Sequence, residues 1–77
     1  MRKENIEYYR LLGLNISYYR KRKGWTQLQL AESAEISRTH LSNIEAPNMN
    51  TTVSLDTLFS IASSLDIDIY KLFDFKK

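Results

Sequence analysis

The stretch Ile36-Ser37-Arg38-Thr39-His40-Leu41-Ser42-Asn43-Ile44-Glu45 sets a guanidinium, three hydroxyls, an imidazole and a carboxamide between spaced apolar residues. Such side chains donate and accept hydrogen bonds in several geometries. Their face is either an ordinary solvated one or one that touches something polar and patterned. Catalysis is a poor fit. His40 is the only histidine, there is no cysteine, and neither a Gly-rich phosphate loop nor clustered carboxylates accompany it. No set of nucleophile, base and orienting group can be assembled. The chain is therefore expected not to be an enzyme, with no catalytic residues, no metal site and no cofactor.

A chain of 77 residues is expected to form one domain, 1–77, around one small core. The lack of cysteine removes disulfides and thiolate chemistry and fits a reducing compartment. No apolar run approaches the roughly 18 residues of a membrane span. The start, MRKENIEYYR, has no apolar signal core behind its charges. A soluble cytoplasmic protein without a membrane partner is the expectation. Net charge is only +2, but it is segregated. Residues 1–43 carry eight Lys/Arg against four Asp/Glu, and residues 44–77 carry three against five. The sharpest cluster is Arg20-Lys21-Arg22-Lys23. A basic half suits a polyanion, because cations that neutralise phosphates release counterions. Charge alone does not separate this from solvation of a helix end, the commoner use of such clusters.

The elements that must position these groups follow from helical spacing, which dominates over strand alternation. The spacing predicts a first helix over about 5–23. Leu12, Ile16 and Tyr19 form its stripe, Tyr8 extends it, the basic tetrad lies in the last turn, and Gly24 stops it. The stripe also permits a start near Leu12. Gly13 inside this helix costs about 1 kcal/mol relative to Ala. A second helix, about 27–34, opens on a Thr26/Gln29 capping box and shows the small apolar face Leu30, Ala31, Ala34. Ser37 caps a third helix, about 38–45, with Leu41 and Ile44 inward. Pro47 and its Asn/Thr neighbours make 46–52 a loop. Ser54 caps a fourth helix, about 55–65, with Leu55, Leu58, Ala62 and Leu65 on one stripe. Asp68 caps a short fifth, about 69–73, from which Ile69, Leu72 and Phe73 can cover the core. Most of the aromatics Tyr8, Tyr9, Tyr18, Phe59, Tyr70, Phe73 and Phe75 are expected in that core. Trp25 is expected to pack against the first helix at the core or its rim. The fold class is all-α, a compact bundle of about five helices.

Two short helices joined by a break of a few residues, the first with small inward residues, form a helix-turn-helix unit. The second helix of such a pair can lie in the DNA major groove with its N-terminal residues at base edges. The segment GWTQLQLAESAEISRTHLSNIEA resembles the helix-turn-helix of the phage repressor and Cro family, the Xre-like bacterial regulators. Thr26-Gln27, Leu30-Ala31, Ile36-Ser37-Arg38, Leu41-Ser42 and Ile44-Glu45 carry the match within a unit of about 26–45. SLDTLFSIASSLDIDIYKLF resembles the family's last two helices, so the likeness covers about 12–73. It implies a lambda-repressor-like domain and a bacterial or phage origin. Three departures stand out. Glu35 and Asp66 replace the family's usual glycines in the turn and after the fourth helix, and Ala46-Pro47 stands where another glycine is usual.

The resemblance implies a role for each polar residue. Arg38, Thr39 and Asn43 match positions that touch bases. Their chemistry suits it: Arg bonds G O6 and N7, Asn bonds A N6 and N7, and the Thr methyl meets a thymine methyl. Phosphate positioning falls to Gln27 at the start of helix two, to the caps Thr26 and Ser37, to His40, to Lys21, Arg22 and Lys23, and to Asn48 and Asn50 of the loop. For His40 a phosphate and plain water are equal alternatives. Arg20 and Glu45 match a pair that commonly joins helix one to the end of helix three, a structural ion pair. Leu28 sits where the family is usually polar, either a stray surface residue or part of a contact patch.

The function these readings imply is a sequence-specific DNA-binding transcriptional regulator. It would insert helix 38–45 in the major groove of double-stranded DNA and act, as a repressor, on a palindromic operator. A homodimer through C-terminal residues is expected, because two recognition helices read a palindrome. No small-molecule pocket is expected. The alternative is an antitoxin or protein-interaction module of the same fold, using Leu28 and the C-terminal aromatics.

Overall fold

In three of the four α-helices the chain enters through a side-chain cap and in three it leaves through a left-handed residue. The computed structural model describes residues 1–76. After a 3-10 turn at Lys3–Asn5 come α1 (Ile6–Arg22), α2 (Gln27–Ala34), α3 (Arg38–Glu45) and α4 (Leu55–Leu65), then a 3-10 helix at Ile69–Phe73. Thr26 Oγ1 accepts from the Gln29 amide at 3.1 Å while Gln29 Oε1 accepts from the Thr26 amide at 2.8 Å, a complete capping box. Ser37 and Ser54 accept from the amides of His40 and Thr57. Each cap satisfies one of the donors a helix start leaves unpaired.

The exits share one geometry. After α1, the Gly24 amide donates to Lys21 and that of Trp25 to Arg20. After α2, Glu35 and Ile36 donate to Glu32 and Ala31. After α4, Asp66 and Ile67 donate to Ser63 and Ala62. This is the Schellman pattern, which needs a left-handed residue. Gly24 adopts it with φ 79°, but Glu35 (φ 59°) and Asp66 (φ 57°) adopt it with side chains. The turn at Glu35 keeps the glycine-like conformation, at a cost of about 1 kcal/mol.

The core is aliphatic. Ile16 of α1, Leu30 of α2, Leu41 of α3, Leu58 and Ile61 of α4 and Leu72 of the last 3-10 helix are almost wholly buried. α1 packs on α3 and on the C-terminal 3-10 helix, and α2 packs on both α3 and α4. Asn15 on α1 donates to the carbonyls of Leu72 (2.9 Å) and Asp74 (3.1 Å), which ties down the chain's last part. Near the start of α1, Glu7 bonds the Arg10 guanidinium and raises its pKa above the ordinary arginine value.

Four expectations are corrected. The fifth helix is a 3-10 helix, and Asp68 makes no side-chain cap bond to it. Five residues give few α-type hydrogen bonds, and short 3-10 pieces are common at such ends. Leu55 is 60% exposed rather than part of the α4 stripe, whose buried members are Leu58, Ile61, Ala62 and Leu65. Tyr8 is exposed as well and meets Phe75 with ring centroids 6.0 Å apart. Most of the aromatics named from the sequence are not core: Tyr18, Phe59, Tyr70 and Phe73 are also exposed, while Tyr9, Trp25 and Phe75 flank the core half-buried. An interior filled by branched aliphatics and alanines, with helices in close approach, leaves rings at its margin.

Candidate nucleic-acid interface

On α3 the side chains divide by helical angle. Leu41, Ile44 and Glu45 are buried. Thr39 and Asn43, one turn apart, point the opposite way, with Arg38 and Ser42 on one flank and His40 on the other. Arg38 and Thr39 are exposed, and His40, Ser42 and Asn43 are half-buried. Among the described residues Arg38, Thr39 and Asn43 make no side-chain hydrogen bond. Their donors and acceptors are unspent, and they share one outward face.

That face is held from behind by a buried ionic centre. Arg20 Nε donates to Glu45 Oε2 at 2.8 Å and Nη2 to Oε1 at 2.9 Å, a bidentate fork. Arg20 is 8% exposed and Glu45 7%. The remaining nitrogen, Nη1, donates to the Trp25 carbonyl at 2.8 Å. Gln27 Nε2 also donates to Glu45 Oε1, at 3.1 Å. One carboxylate at the end of α3 thus joins α1, the α1–α2 turn and the first residue of α2. No buried side-chain polar atom among the described residues lacks a partner, which such a centre requires.

The Gln27 link is absent from the spacing of residues 18 positions apart and has no other local signal. It limits what Gln27 can offer. Its amide hydrogen bonds to a carboxylate, so the group facing Glu45 must be the nitrogen. One N–H is committed, and the second stays free for another acceptor. Thr26 and Ser37 use their oxygens as acceptors for the caps, which leaves each hydroxyl proton free to donate.

The basic tetrad splits. Arg20 belongs to the ionic centre. Two positions along a helix turn it by about 200°, so Arg22 faces away from α3. It lines, with Lys23 and Lys71, an open-sided cavity beyond the end of α1. Lys23 Nζ sits 4.8 Å from the centre of the Trp25 ring, a cation–π contact. Lys21 is exposed and lines no such cavity. The structure therefore does not bring the three cations together on the α3 side. Asn48 and Asn50 are exposed in the 46–52 loop, where the Met49 amide closes a turn on Ala46 at 3.2 Å.

Among the described residues no group of three or more His, Asp or Glu side chains could hold a metal ion. No described helix is long and apolar enough to cross a membrane.

A family model described as helix-turn-helix matches residues 16–72. The transcriptional regulator SinR of Bacillus subtilis is 36% identical over 66 residues, 86% of this chain and 59% of its own. The chain thus spans about three fifths of that relative. Among solved structures, the restriction-modification controller protein C.AhdI of Aeromonas hydrophila superposes with a TM-score of 0.79 at 28% identity, over 84% of this chain and 96% of that one. A structure of SinR in complex with DNA matches with a TM-score of 0.75 at 36% identity, over 82% and 98%.

Proposed function

The chain belongs to the helix-turn-helix family of phage-repressor and Cro-like regulators, and from that membership we propose that it is a sequence-specific, DNA-binding transcriptional repressor. The observation that carries the reading is the outward face of α3. Arg38, Thr39 and Asn43 lie there without side-chain hydrogen bonds among the described residues, on a helix tied to α1 by the Arg20–Glu45 fork. In the major groove these three read base edges. The free N–H of Gln27, the hydroxyls of Thr26 and Ser37, Lys21, and Asn48 and Asn50 of the loop hold phosphates. SinR, a relative of this chain, has been solved in complex with DNA.

The active form is a homodimer in the cytoplasm, joined through the C-terminal part of the chain. Exposed apolar side chains support it: Leu55 and Phe59 on α4, and Tyr70 and Phe73 on the 3-10 helix packed against it. Two copies read a palindrome whose half-sites lie about 10 base pairs apart or a multiple of that. Selection of bound sequences from a random DNA pool tests the proposal. A palindromic consensus is expected, lost in the Arg38→Ala/Asn43→Ala double variant with the fold intact. An unchanged consensus in that variant would overturn the assignment of the reading residues.

A second reading, an antitoxin or protein-interaction module, is favoured by Leu28, 50% exposed on α2. It takes over if the wild-type chain has no salt-sensitive affinity for DNA.

A further inference from the structure

Arg22, Lys23 and Lys71 line an open-sided cavity of about 330 Å³ where α1 and α4 both end beside the C-terminal 3-10 helix. That volume is at the small end of the roughly 300–1,000 Å³ of ligand sites. None of the three cations has a carboxylate within 4 Å of its charged nitrogens or makes a side-chain hydrogen bond among the described residues. Cations at helix ends often serve the last carbonyls. Here five of those carbonyls are already taken. Tyr19, Arg20 and Lys21 accept from the amides of Lys23, Trp25 and Gly24, and Ala62 and Ser63 accept from those of Ile67 and Asp66. Among the described residues Asp66 is the one acid on the cavity wall, against three basic residues. Lys71 is half-buried, whereas Arg22 and Lys23 are exposed.

We infer that this cavity binds a phosphate monoester carried on a small organic body. The planar Arg22 fork and the Lys71 ammonium match the terminal oxygens of a phosphate, and the Lys23 ammonium, 4.8 Å from the centre of the Trp25 ring at the edge of the site, adds positive charge. Tyr19, Leu65 and Ile67 supply an apolar wall for the organic part. The site lies across α1 from α3. Gly13 and Arg20 face α3, whereas Asn15, Tyr19 and Arg22 face the C-terminal side. An occupant would leave the α3 face open. It would also brace the turn after Lys23, whose Trp25 carbonyl is held by Arg20. Lys71 stands 48 positions after Lys23, and nothing in the sequence spacing joins them.

The test is a two-dimensional NMR titration of the full chain with inorganic phosphate and with adenosine monophosphate, ionic strength held constant with sodium chloride. Saturable shifts are expected at the amides of Lys23, Ile67 and Lys71, with the nucleotide binding more tightly than phosphate. The Lys71→Gln variant, and the Arg22→Gln/Lys71→Gln double variant, should weaken binding at least tenfold while the rest of the spectrum stays in place. Shifts that do not saturate, shifts unchanged in the double variant, or equal saturation by acetate would each overturn the assignment.

Discussion

Gly13 in the middle of α1 lies directly beneath the carbonyl of Ile44 at the end of α3. A Cβ built on it would overlap the Ile44 oxygen and come within 3.1 Å of the Ile44 carbonyl carbon and 3.3 Å of the Glu45 Cα. All three neighbours are backbone, so no side chain can swing aside. The helical penalty of glycine is the condition for bringing α1 this close to the last turn of α3. Gly13→Ala gains about 1 kcal/mol of helix propensity. It forces the two helices apart, an overpacking that costs about 1–3 kcal/mol. The expected outcome is net destabilisation, read as a lower urea midpoint with an unchanged slope. A variant as stable as the wild type would mean the approach is looser than the backbone positions require.

The Arg20–Glu45 fork gives a second contrast. Removing one member of a buried pair strands the other and costs about 3–5 kcal/mol. Glu45→Leu also strips the acceptor from Gln27. Arg20→Met frees the Trp25 carbonyl. Each single variant should unfold at markedly lower urea concentration. The double variant Arg20→Met/Glu45→Leu should recover most of the loss, because it leaves no buried unpaired charge. Its DNA affinity should stay below wild type, since α3 would have lost the contact that sets its angle. Full recovery of both stability and affinity would show that the fork has no orienting role.

Left-handed residues supply a third. Glu35 has φ 59° and ψ 42° and is exposed. Glu35→Gly removes the Cβ strain, offset in part by the greater freedom of glycine in the unfolded chain. A gain of about 0.5–1 kcal/mol is expected, seen as a rise in melting temperature of a few degrees. Asp66→Gly should give less, because Asp tolerates that region better than Glu. Calorimetry on the two variants ranks them directly.

How legible the molecule was from its residues follows from where the information sits. The limits of α2, α3 and α4 are written locally, in Thr26 with Gln29, in Ser37 and in Ser54. Each makes its bond three residues on, a distance any reading of the chain can span. The exit after α2 was legible only through resemblance, since Glu35 does not announce a left-handed turn by type, whereas Asp66 after α4 is of a type that tolerates one. What spacing could not carry is long-range geometry. The reason for Gly13 lies 31 positions away at Ile44, and the partner of Gln27 lies at Glu45. The aromatics misled because a ring is apolar by composition. Whether it is buried depends on how much interior remains, and aliphatic side chains fill this one. The resemblance set Arg20 apart from the tetrad as Glu45's partner, but only helical rotation shows that Arg22 turns away from α3.

That division of the tetrad separates the cations in solution. A residue that holds a phosphate weakens binding to all sequences alike and lowers the slope of log affinity against log salt by about 1. A residue that reads a base costs about 1–3 kcal/mol at one position of the site and relaxes preference there. Lys21→Ala should behave in the first way. Arg38→Ala should behave in the second, with the loss confined to one base pair, if the proposed reading role holds. Arg22→Ala should change the salt slope much less than Lys21→Ala, because its side chain lines the cavity on the far side of α1 from α3. Binding isotherms at several salt concentrations, on the selected site and on single-base variants of it, resolve the three. An Arg22 slope effect equal to that of Lys21 would mean that DNA wraps further around the end of α1 than a groove-bound α3 alone requires.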